Sequence, residues 1–181
     1  MKLLRGLIIC CQVGMCAAVG THCGSTYQVY AWQRGQARHM NLRTKDTLKT
    51  PFSLVKAQDY GIVVEFFSAP MLSISSGALP ASRQELVNDV IRQIIITADK
   101  EVEKFQAGEN LNKIFLANVT ADDFRIPADS FARRPPVPVT RVLFLKFNQS
   151  VQKRDTITFQ LTLQLLPPRQ FSFKLPPIVL E

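Results

Sequence analysis

The chain has 181 residues, with 22 Lys and Arg against 14 Asp and Glu, a formal charge of +8, 46% hydrophobic and 20% charged residues. That composition excludes an intrinsically disordered chain, and the length suits one ordinary domain but not two. Two histidines and no metal-ligand or nucleophile motif leave catalytic and metal-dependent classes without a foothold, so no catalytic residue, cofactor or metal is assigned.

Residues 1–20 read as a secretory signal peptide. Lys2 and Arg5 form a positive n-region, Leu7–Val19 an apolar h-region, and Ala18-Val19-Gly20 a small-x-small cleavage pattern. The apolar run is shorter than the roughly 20 residues that span a bilayer. An uncleaved anchor is the alternative, and acylation of Cys16 or Cys23 a third, although the residues before them, Met15 and His22, are not small. Cleavage removes Cys10, Cys11 and Cys16 and leaves Cys23 alone, so no intramolecular disulfide is expected. That points to a domain held by a hydrophobic core, exported to a periplasmic or extracellular compartment. Removing Lys2 and Arg5 lowers the charge only to +6. A basic exported protein suits a protein partner, an anionic envelope polymer or a membrane surface. No nucleic-acid motif is present.

Residues 21–49 read as a basic, poorly packed lead-in, with Arg34, Arg38, His39, Arg43, Lys45 and Lys49 opposed only by Asp46. A short strand is expected near Tyr27, Val29 and Ala31. The single β-rich domain is expected over 50–181. Strands are predicted after Pro51 and over Tyr60–Phe67, where β-branched and aromatic residues occupy both faces. Glu65 interrupts that run. It is either solvent-facing or paired with Arg141 or Lys146.

Ser82 and Glu85 form a capping-box pattern, and Leu86, Val87, Val90, Ile91, Ile94, Ile95, Ala98, Val102 and Phe105 recur at helical spacing. An amphipathic helix is expected over about 83–106. The β-prone run Ile94-Ile95-Ile96-Thr97 supports a rival strand over 93–98. Another strand is predicted over Lys113–Thr120. Residues 121–140 read as a surface loop or extended edge segment, with Pro127 and the Arg133-Arg134-Pro-Pro-Val-Pro138 run. Asp122-Asp123 is the only adjacent acidic pair and reads as a solvated turn. Arg141–Phe147 is an apolar strand. From Thr156 to Leu165 the alternation is unbroken, which predicts an antiparallel strand with one buried and one wet face. Pro167-Pro168-Arg169 turns the chain, and Phe171, Phe173 and Leu175 resume the alternation. The sequons Asn118-Val-Thr120 and Asn148-Gln-Ser150 matter only in a eukaryotic secretory pathway.

The expected fold is β-rich (α+β): an antiparallel β-sandwich or curved sheet with one amphipathic helix packed against it. The expected function is that of an exported, non-catalytic cell-envelope protein that binds a partner through a sheet edge or the 121–140 loop. Arg125, Arg133 and Arg134 are the candidate contacts. Periplasmic inhibitor, immunity-type and secretion-apparatus accessory proteins are versions of this reading. A carrier of lipid or small apolar ligands between helix and sheet is the second expectation. A hydrolase with an unrecognised site is the third.

Overall fold

The computed structural model describes residues 25–48, 51–75, 81–87, 89–132, 141–166 and 168–181. Residues 1–20, which the sequence reads as a signal peptide, lie outside the described residues with Cys16, as do Cys23, Arg133 and Arg134. The described residues are strand-rich, with several antiparallel pairings and one short α-helix.

Strand β1 spans Ser25–Asn41 and runs antiparallel to β4, Tyr60–Ser75, along nearly its whole length. The expected lead-in is therefore a strand. Its basic residues are consistent with that pairing because they share the strand with Trp32 and His39, which are both buried. Two short strands, β2 (Asp46–Thr47) and β3 (Ser53–Val55), lie between β1 and β4 in sequence. β5 (Ala81–Val87) runs parallel to the first part of β1. β6 spans Val90–Ala98, β7 Phe115–Asn118 and β8 Ile126–Pro127. Helix α1 covers only Ala128–Ala132. β9 (Val142–Phe147), β10 (Asp155–Ile157), β11 (Phe159–Leu166), β12 (Arg169–Lys174) and β13 (Ile178–Leu180) complete the chain.

The large sheet has the order β2-β1-β4-β9-β7-β8, with β5 also on β1. Two smaller sheets have the orders β10-β13-β3 and β12-β11-β6. The inward residues of β4 are Tyr60, Ile62, Val64 and Phe66, and those of β11 are Phe159, Leu161, Leu163 and Leu165; all are buried. Tyr60 stacks on Phe159 with ring centroids 5.5 Å apart, and Phe115 of β7 meets Phe159 edge-on at 5.8 Å. Trp32 stacks flat on Phe66 at 3.9 Å. Aromatic contacts of this kind add about 0.5–1.5 kcal/mol each beyond the area they bury. They tie the β11 sheet to the large sheet through one continuous core.

The amphipathic helix expected over about 83–106 is not there. The segment forms β5, a connection, β6 and a tight turn closed by the Val102–Phe105 bridge. The misreading has a physical cause. Pairing of β6 with β11 slips by one residue between Ile91 and Gln93, so Arg92 is bulged. The bulge puts Ile91 and Ile94 on the same face, three residues apart, before Ile96 and Ala98 resume the two-residue period. A bulged strand thus imitates helical spacing. The rival strand over 93–98 is the observed one, as β-branched packing between neighbours favours.

The remaining strands fall close to their expected places. Phe159–Leu166 alternates buried and more exposed residues, with β10 split from it at Thr158. Among the described residues no helix is long and apolar enough to cross a membrane.

Candidate functional site

A cleft of about 570 Å³ opens where β6, the 99–114 connection and α1 meet. Its apolar lining comes from Ile94, Phe105 and Ala132, and its charged lining from Arg92, Lys113, Glu109 and Asp129. The bulge at Arg92 places that residue and Gln93 side by side at the mouth.

One wall of the cleft is built by side-chain and backbone groups acting as a substitute strand. Among the described strands β6 pairs with β11 alone. On its other side the N–H of Gly108 donates to the Ala98 carbonyl at 2.8 Å and the N–H of Leu111 to the Ile96 carbonyl at 2.7 Å. Gly108 has φ +79°, a left-handed conformation that glycine adopts without steric cost. Buried Asn112 completes the clamp. Its Oδ1 accepts from the Ile96 N–H at 3.1 Å, and its Nδ2 donates to the Ile94 carbonyl. An open edge is thereby covered without a further strand.

The electrostatics of the cleft are uneven. Glu109 accepts from the Gln106 N–H at 3.0 Å and Asp129 from the Ser130 N–H at 2.8 Å, so both carboxylates are engaged by their own turns. Arg92 and Lys113 are exposed and have no ion pair among the described residues. The cleft therefore presents two cations without an ion pair among the described residues beside two carboxylates held by their own turns, with Phe105 and Ala132 offering an apolar floor.

Arg125 stands on the loop entering β8, exposed, with its guanidinium donating to Asp123. The loop is wound around Asn118, whose Nδ2 donates to Thr120 Oγ1 at 3.0 Å and to the Asp122 carbonyl at 2.5 Å. That is the nitrogen a glycan would occupy in the first sequon. Asp122 also pairs with Lys45 of the β1–β2 turn at 3.3 Å. Ala132, at the end of α1, lines the cleft, and Arg133 follows it directly in sequence. The 121–140 segment, expected to be a surface loop or extended edge segment, contains β8 and α1 among its described residues.

Glu65 is half-buried and pairs with Arg38 on the neighbouring strand β1, not with Arg141 or Lys146. Arg38 Nε is buried and has no acceptor among the described residues.

Two polar groups with structural weight escaped the sequence reading. His39 is buried between Tyr60 Oη, 2.8 Å from Nδ1, and the Pro176 carbonyl, 2.6 Å from Nε2. Burial lowers its pKa below 6.5, against a smaller raising effect of the Pro176 carbonyl, and burial pushes the Tyr60 phenol well above 10.0. Asp89 is buried beside Arg169, its Oδ2 accepting from the Trp32 N–H at 2.5 Å. No pattern in the sequence marks either residue; each is fixed by contacts more than twenty positions away.

Among the described residues no group of three or more His, Cys, Asp and Glu side chains converges on a point that could hold a metal. No protein-family model matches the chain, and comparisons with curated proteins and with solved structures find no match either.

Proposed function

We propose that this chain is an exported, non-catalytic cell-envelope protein that binds another protein or an anionic envelope component. The observation that carries the reading is the cleft itself. Arg92 and Lys113 line it without an ion pair among the described residues, and Arg133-Arg134 follow its lining residue Ala132 in sequence. Two cations without an ion pair among the described residues, beside a half-apolar floor, suit an acidic, partly apolar partner surface. The signal-like N-terminus and the basic charge of the remaining chain support export and an acidic counterpart.

In this reading the β11 sheet and the large sheet are the two layers of an antiparallel sandwich. The Tyr60–Phe159 and Phe115–Phe159 contacts between them support that arrangement. The ligand-carrier reading needed space between a helix and a sheet. The residues assigned to that helix instead include Ile94, Ile96 and Ala98, which are buried in the common core.

The test is crosslinking in the envelope fraction with the wild-type chain, Arg133→Ala/Arg134→Ala and Arg92→Ala. A reproducible adduct that weakens in the variants supports the proposal. Unchanged adducts in stably folded variants remove the cleft from it.

A further inference from the structure

The outer edge of β1 carries an interrupted ladder. β5 lies beside it as far as Tyr30, and β2 joins it again from Met40. Between them, no described strand pairs with Gln33–Arg38 on that side, while β4 occupies the other. Six residues of strand leave an opening about 20 Å long.

Both ends of the opening are capped. At one end Asp89 accepts the Trp32 N–H, and Arg169 Nη1 donates to the Trp32 carbonyl at 2.9 Å. At the other, the His39 carbonyl accepts from the Leu48 N–H at 2.9 Å. That bond points the backbone of His39 away from β4. Backbone groups alternate along an antiparallel strand, so the N–H and C=O of Ala37 and Gly35 face the same open edge.

A second open edge lies alongside. Among the described strands β12 pairs with β11 alone. It passes so close to β1 that a Cβ on Gly35 would stand 2.8 Å from the Phe173 ring. Ala37, Phe171 and Phe173 are half-buried there, at the margin of the core. The charges on this flank are positive. Arg34 and Lys174 are exposed, and the nearby acids Glu65 and Asp89 are already engaged by Arg38 and Arg169.

We propose that this flank is a strand-addition site for an extended acidic segment of a partner protein. The segment completes the β1 ladder at Gly35 and Ala37, and its carboxylates face Arg34 and Lys174. A second copy of the chain is a poor occupant, because antiparallel pairing of this edge with itself about Gln36 sets Arg34 against Arg38 of the other copy. The inference rests on the reading that the chain binds a partner, but it uses a different surface from the cleft.

The probe is a synthetic peptide of about ten residues alternating valine and glutamate, with a valine–lysine peptide as its counterpart. The measurement is amide hydrogen exchange at Gly35 and Ala37 in the full chain. The acidic peptide is expected to slow both amides about tenfold or more, with the effect weakening in high salt, while the lysine peptide leaves them unchanged. Ala37→Pro removes an outward N–H without touching the β1–β4 ladder, and Arg34→Glu keeps every backbone donor; both are expected to abolish the protection at Gly35. Equal protection by both peptides, or none, overturns the proposal. Protection already present in the free protein also overturns it, whether independent of concentration or arising from a dimer. An envelope partner that maps to Arg133–Arg134, with no protection here, would retain the proposed function and remove only this site.

Discussion

Protonation of His39 is expected to destabilise the fold in a defined pH window. The Pro176 carbonyl can only accept, so Nε2 carries the proton in the neutral ring and Nδ1 accepts from the Tyr60 hydroxyl. A second proton on Nδ1 would face the Tyr60 oxygen. The phenol hydrogen would then have to turn away into surroundings where Tyr60 has no exposure at all. An unmet buried hydroxyl costs about 1–3 kcal/mol, and the new charge adds its own desolvation. The folded state therefore takes up the proton less readily than the unfolded chain, consistent with the lowered pKa. The unfolded state binds more protons between the folded pKa and 6.5. Stability is complete above that window and falls as pH drops through it, by up to about 1.4 kcal/mol per pH unit. The decline ends once the folded ring also takes the proton. Asp155 acts in a separate window: the hydrogen bond from Lys100, then that from the Thr156 N–H, lowers its pKa from 3.8, so its contribution is lost only at lower pH. Urea denaturation of the wild type, His39→Gln and His22→Gln between about pH 7.5 and about pH 4.5 measures the slope. The wild type and His22→Gln should share it, and His39→Gln should be flat until the carboxylates titrate. A flat wild-type profile, or an unchanged slope in His39→Gln, would refute the argument.

Other consequences are local. Arg169→Ala leaves the Asp89 carboxylate buried without its partner and is expected to lower stability by about 1–3 kcal/mol, below the cost of breaking a fully buried pair because Arg169 is partly solvated; thermal denaturation reads it. Asn112→Leu orphans the Ile96 N–H and the Ile94 carbonyl and should lower stability by about 2–4 kcal/mol, with faster exchange of the Ile96 amide. Phe159→Ala removes a ring that touches both Tyr60 and Phe115, with an expected loss of about 3–5 kcal/mol in chemical denaturation. In the cleft, Arg92→Glu should weaken capture of an acidic partner without altering the melting temperature appreciably, since Arg92 is exposed and unpaired among the described residues.

The parts of the fold legible in the sequence are those where a single period runs without interruption. Phe159 to Leu165 alternates cleanly and is the strand expected, because burial on one face needs every second residue apolar. β6 was open to misreading because the bulge at Arg92 changes phase inside the run. β1 was obscured differently. Gln36 and Arg38 occupy its outer face while Gly35 and Ala37 occupy its inner one, so the inward residues are too small to register as an apolar stripe. The site was legible only as a region. Prolines and arginines in 121–140 mark an irregular surface segment, but Arg92 and Lys113 join it only through β6 and the Asn112 clamp, both long-range in sequence. Glu65 stood out as a charge in an apolar strand. Its partner Arg38 could not be found without knowing that β1 pairs with β4.

Intact mass of the chain from the envelope fraction, together with identification of what crosslinks to it, tests both export and the binding of a protein or anionic partner. The account predicts a mass lacking the first twenty residues and a reproducible adduct that is lost in Arg133→Ala/Arg134→Ala. A retained or acylated N-terminus accompanied by lipid alone would contradict it.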